Sequence, residues 1–74
     1  MVPLAFLDEG ARGRIVRITG GHGVLVRLTA MGFGPGREVK VVRNQMAGPL
    51  VVASGDTQVA IGRGMAMKIL VEVE

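Results

Sequence analysis

The residues able to do chemistry are few and far apart. His22 is the sole histidine, the carboxylates are Asp8, Glu9, Glu38, Asp56, Glu72 and Glu74, and there is no cysteine. A ferrous or zinc site needs two or three nitrogen, thiolate or carboxylate ligands that converge. His22 sits in the glycine-rich stretch Gly20-Gly21-His22-Gly23, which leaves it accessible but alone. Glu72 and Glu74 share one face of an alternating segment, so His22, Glu72 and Glu74 are weak metal candidates only. No tight stoichiometric metal site and no cofactor are expected. Catalysis has little more to stand on. Without Cys or Tyr, with Ser54 in a turn and a single imidazole, no nucleophile can be joined to a base and an orienting acid. The glycines at 20, 21 and 23 precede a helical pattern as phosphate-cradling loops do, but the dinucleotide spacing and the P-loop lysine are missing. A non-enzymatic protein is expected.

Composition narrows the class. A chain of 74 residues fits one domain, residues 1–74, and buries only about 60% of its unfolded surface, so its core is thin. With 49% hydrophobic and 20% charged residues, disorder is excluded. Charges interrupt every apolar run before the roughly 18 residues of a membrane span, and the first residues lack a basic leader region. A soluble, cytoplasmic protein that is not membrane-embedded is expected. The formal net charge is +3, yet arginines alternate with apolar residues instead of clustering, as on a solvated strand face.

The elements follow from pattern and punctuation. Arg14 to Thr19 is short and β-branched and reads as a strand closed by Gly20-Gly21. Between Val24 and Met31 the apolar positions fit a helix and an alternating strand almost equally. The tie is broken by Gly32, which can terminate a helix in the left-handed conformation, and by Phe33, which can fold back onto Leu28 as the apolar partner of a Schellman cap. Strands are expected over Glu38–Arg43, Leu50–Ala53 and Thr57–Ile61, the last two joined by a tight turn at Ser54-Gly55-Asp56. The final strand is read from the alternation of Met65, Met67, Ile69, Val71 and Val73, with Leu70 facing outward. Five short strands and one short helix within residues 22–31 predict a mainly β, partly open SH3-like barrel.

Several of these residues carry a family resemblance that spans nearly the whole chain. Leu28-x-x-Met31-Gly32-Phe33-x-Pro35-Gly36-x-x-Val39-x-Val41, followed by Gly48-Pro49-Leu50 and Val59-Ala60-Ile61-Gly62-Arg63-Gly64, resembles the FeoA family of small cytosolic components of ferrous iron uptake systems. The resemblance implies an SH3-like fold and, as partner, the cytosolic region of FeoB, the membrane ferrous iron transporter with a GTP-binding domain. The same fold resembles the C-terminal domain of iron-dependent repressors. With the basic pI this motivates the alternative reading, a regulatory or nucleic-acid-binding module.

Among binding functions, the scarcity of aromatics decides. Phe6 and Phe33 are the only ones, whereas a proline-peptide groove or a single-strand nucleic-acid platform needs exposed rings. No nucleic-acid partner is expected, and self-association as a weak homo-oligomer stays open. The candidate partner surface comprises His22, Arg27, Met31, Phe33, Met46 and Arg63, around the helix stop and its neighbouring loops. Met31, Met65 and Met67 are expected as core filler and Met46 as a loop contact. Arg63→Glu and Met46→Asp are expected to leave the melting temperature nearly unchanged.

Overall fold

The computed structural model describes residues 1–45 and 47–74. The chain runs β1 (Val2–Pro3), a 3-10 turn (Leu4–Phe6), β2 (Arg12–Ile18), α1 (His22–Ala30), β3 (Glu38–Asn44), β4 (Leu50–Ser54), β5 (Thr57–Ile61), α2 (Arg63–Ala66) and β6 (Ile69–Val73). The strands form one antiparallel sheet in the order β1-β6-β2-β3-β4-β5, a strongly bent SH3-like arrangement.

Bulges supply the bend. The β2–β6 register shifts between Ile15 and Arg17, and the β3–β4 register shifts between Val41 and Arg43. An extra residue on one strand of a pair increases the local twist, so the sheet curls around its apolar face. At the first bulge the ladder changes partner: Ile15 donates to Arg37 O at 2.9 Å and accepts from Gly36 N at 2.7 Å. The loop that follows α1 is thereby fastened to β2. Inside the curl lie Ile15, Val39, Val41, Leu50, Val52, Ile69 and Val71, closed at the ends by Leu4, Leu28 and Phe33.

The helix stop forms as its sequence predicts. Gly32 has φ +87°, Phe33 N donates to Leu28 O at 2.9 Å and Gly32 N to Thr29 O at 3.0 Å. These are the two bonds of a Schellman motif, and they occupy carbonyls that a helix end otherwise leaves unpaired. Phe33 and Leu28 are both buried in the core, where burial of one such side chain contributes about 1.5–3 kcal/mol. Leu28 is the only fully buried residue of α1, so this joint holds the helix to the sheet.

Two sequence expectations are corrected. The five expected strands are joined by one more at the start of the chain: Val2 and Pro3 pair with Val71 and Leu70 of β6, and Leu4 is fully buried. The sheet therefore has six strands. The last strand starts at Ile69, because residues 63–66 form a helical turn that buries Ala66, and Lys68 O accepts from Thr19 N at 2.8 Å. A second, very short helix thus takes the place of the strand's expected first residues. Leu70 faces away from the core as expected, alternating with the buried Ile69 and Val71, and is half-buried on that outer face, opposite Pro3 and Arg17.

Candidate functional site

α1 and β5 lie side by side without hydrogen bonding and leave an apolar groove of about 120 Å³ between them. Its walls are Arg27, Leu28 and Met31 from α1, Ala60, Ile61 and Gly62 from β5 and its end, and Met65 from α2. Leu28 and Ile61 form a buried floor, Met65 is half-buried, and Met31 is 37% exposed. Met31 follows α1 as its C-cap, one turn after Arg27, whose charge stands at the helix C-terminus where the dipole favours a cation. The groove therefore offers two flexible thioethers over an aliphatic floor beside one guanidinium. It can accept a small apolar side chain and pair with a carboxylate next to it.

This groove gathers part of the sequence-predicted set and leaves the rest outside. Arg27 and Met31 meet in it, while His22 is exposed at the other end of α1, about 7.5 Å along the axis from Arg27 at 1.5 Å per residue. Phe33 has no exposed surface, so it holds the helix stop and offers nothing to a partner. Met46 lies outside the described residues. Met67 is 42% exposed and so is not core filler, whereas Met65, on the groove wall, packs against the core.

Arg63 has a structural task that sequence reasoning missed. Its guanidinium donates to Asn44 Oδ1 at 2.8 Å and to the Gln45 carbonyl, while its Nε is buried without a partner among the described residues. Asn44 in turn donates from Nδ2 to Leu7 O at 2.6 Å and Ala5 O at 3.1 Å, and its backbone N–H donates to Glu9 Oε2 at 2.9 Å. One amide thus ties the end of β3 to the N-terminal 3-10 turn and to α2. The expectation that Arg63→Glu leaves stability unchanged does not survive this geometry, because a carboxylate could not donate to either acceptor.

A second hollow, of about 260 Å³, opens on the charged face of the sheet between Arg12, Glu38, Val39, Lys40, Ala53 and Gly55. It arises from register: Arg12 lies opposite Lys40, and Lys40 opposite the small Ala53. Glu74 is tied to the same face by its backbone N–H, which donates to Arg12 O at 3.0 Å. A hydrogen bond with Glu38, and then Glu38's charge, hold the Glu74 carboxyl above its ordinary range, against Arg12 and Arg14, which lower it. Glu72 is exposed opposite Arg14. Among the described residues no three His, Cys, Asp or Glu side chains come together as a metal site, and no helix is long and apolar enough to cross a membrane.

Comparison with known proteins fixes the family. The FeoA domain model matches residues 2–73. The chain belongs to the FeoA family. It is 46% identical over 72 residues to the Methanocaldococcus jannaschii protein named "Putative Fe(2+) transport protein A", covering 97% of this chain and 87% of that one. A crystal structure of an iron uptake regulatory protein, FeoA, superposes with a TM-score of 0.93 at 34% identity, over 99% of this chain and 97% of that chain. Stenotrophomonas maltophilia FeoA, solved with zinc and described as an SH3 domain protein, gives a TM-score of 0.84 at 25% identity, covering 97% and 91% of the two chains. A manganese-dependent transcriptional repressor shares the fold alone, at 23% identity and TM-score 0.86, with 41% of its chain covered. Membership in FeoA makes this chain a member of a family of ferrous iron transport accessory proteins.

Proposed function

We propose that this FeoA protein is a non-enzymatic cytoplasmic accessory of ferrous iron uptake, that it docks on the cytosolic region of a FeoB-type transporter, and that the groove between α1 and β5 is where it docks. The observation that carries this reading is the convergence of Arg27, Met31 and Met65 over the Leu28–Ile61 floor, an accessible apolar concavity on a protein of an iron transport family. An apolar anchor seated there, with a carboxylate near Arg27, is the partner chemistry that the groove fits. FeoA acts by favouring the transporter conformation it binds more tightly, so its effect is bounded by the difference in affinity between conformations.

The test immobilises the cytosolic region of FeoB and titrates the parent chain and Met31→Asp over it at several salt concentrations. The parent chain binds, the variant binds at least about tenfold more weakly, and binding changes little with salt. Absence of parent binding removes the proposal. A steep loss with rising salt points to contacts made by the charged face instead.

A further inference from the structure

Met31 and Met65 both line the groove, and they differ in what can reach them. Met65 is half-buried and packs against the core, whereas Met31 is 37% exposed. The backbone of Met31 is fixed: its N–H donates to Arg27 O at 3.2 Å and Leu28 O at 3.1 Å, and the bonds of Gly32 and Phe33 close the helix just beyond it. A thioether within reach of solvent is open to oxidation, which turns a flexible apolar group into a polar sulfoxide. What stands beside it decides the consequence. Arg27 precedes Met31 by four residues, the spacing at which helical side chains lie one above the other. Side chains on a helix lean toward its N-terminus, so Met31 leans back over the turn that carries Arg27. Arg27 is exposed, and α1 carries no carboxylate. Among the described residues the Arg27 guanidinium has no hydrogen-bond or ion-pair partner.

We propose that Met31 is a modification site, oxidised by hydrogen peroxide to the sulfoxide, and that Arg27 captures the new oxygen. A sulfur lone pair attacks one peroxide oxygen as the O–O bond breaks. That oxygen stays on sulfur, while the other leaves as hydroxide and takes the first one's proton to form water. Sulfur is oxidised by two electrons and peroxide is reduced by the same two. The sulfoxide oxygen then accepts from the Arg27 guanidinium, a charge-assisted bond to a donor that is otherwise unpartnered. Two features that suit the groove to a partner are removed together. Its apolar wall at Met31 becomes polar, and the cation that would pair with a partner's carboxylate is occupied. This consequence rests on the docking reading above, whereas the oxidation and the capture do not. Met67, 42% exposed and not among the groove walls, undergoes the same chemistry without that consequence. A docked partner covers Met31, so the free chain is the form that peroxide reaches.

The test treats the full chain with hydrogen peroxide and follows each methionine by peptide mass spectrometry. Met31 and Met67 each gain one oxygen before Met65 does, and the circular dichroism of the chain is unchanged. Without FeoB present, exchange of the Arg27 guanidinium protons slows on oxidation. Met67→Leu shows the same slowing and Met31→Leu shows none. On the immobilised cytosolic region of FeoB, the oxidised chain binds at least about tenfold more weakly than the reduced chain, and methionine sulfoxide reductase reverses the loss. Met67→Leu is as sensitive to peroxide as the parent, while peroxide leaves Met31→Leu at its own untreated affinity. Oxidation of Met65 ahead of Met31, loss of the fold on oxidation, or Arg27 protons that exchange as fast after treatment as before would overturn the proposal. A chain carrying Met31 sulfoxide that binds FeoB as tightly as the reduced chain overturns the control of the groove. A reduced chain that does not bind FeoB removes the docking reading alone, and the exchange of the Arg27 protons then decides the capture by itself.

Discussion

Arg63 and Asn44 are 19 residues apart in sequence and are joined by a 2.8 Å hydrogen bond from the guanidinium to the amide oxygen. The same amide holds the carbonyls of Ala5 and Leu7 with its nitrogen. Three segments distant in the chain are thus closed onto the core by polar contacts that are only partly exposed. Replacing Arg63 with Ala removes the donor and leaves Asn44 Oδ1 short of a partner, a loss of about 1–3 kcal/mol. For a domain of this size each kcal/mol lowers the melting temperature by roughly 4–8 °C. Asn44→Ala should cost at least as much, and thermal unfolding of the two single variants and the double variant should show strong non-additivity.

At the helix stop, Gly32→Ala tests conformation without packing. No heavy atom outside the neighbouring residues lies within 4 Å of the position a Cβ would take there, so the added methyl meets no obstacle. The cost is the left-handed backbone at φ +87°, about 1–2 kcal/mol. Gly32→Asn should cost less, because asparagine tolerates that region. Denaturant midpoints should be highest for the parent chain, intermediate for Gly32→Asn and lowest for Gly32→Ala.

The charged face makes a pH prediction. Glu74 titrates above its ordinary value of 4.5, first through its hydrogen bond with Glu38 and then through Glu38's charge. A carboxyl raised on folding binds its proton more tightly in the folded state. Its contribution is fully present below 4.5 and is lost as pH rises through the folded value. Glu74→Gln cannot suffer that loss. Its melting temperature should equal or slightly exceed that of the parent at pH 7, and the difference should vanish under acid conditions; a variant less stable at neutral pH would contradict this account.

The groove predicts separable effects. Arg27 is exposed and Met31 partly so, and exposed substitutions usually stay within about 0.5 kcal/mol. Arg27→Glu and Met31→Asp should therefore fold like the parent chain by circular dichroism while binding the FeoB cytosolic region more weakly. His22→Ala, at the far end of α1, should leave that binding unchanged.

Legibility in the sequence followed the range of the interactions. The Schellman stop at Gly32-Phe33, the hairpin around Gly55 and the strand Thr57–Ile61 depend on neighbouring residues, and each was readable from composition and spacing. β1 was not, because two residues have no periodicity and become a strand only by pairing with Val71 and Leu70 at the other end of the chain. The alternation from Met65 to Val73 was misleading, since a buried Ala66 and the Thr19–Lys68 bond turn its first residues into a helix. In the candidate site, Arg27 and Met31 were legible as neighbours of a helix stop, but the expectation of Met31 as core filler fails, since it is 37% exposed. Their partners Ala60, Ile61 and Met65 were not legible, because α1 and β5 share a wall without any local sequence signal. Arg63 reads as a free surface cation in sequence because its acceptors lie in another segment.

The most direct measurement of the docking claim follows the methionine methyl resonances while the cytosolic region of FeoB is titrated into the labelled chain. Met31 and Met65 line the groove, and Met67 is exposed but not among its walls. Docking in the groove predicts that the Met31 and Met65 methyls shift or broaden saturably, that Met67 changes little, and that Met31→Asp abolishes the Met65 response. Saturable binding with Met31 and Met65 unperturbed would contradict it.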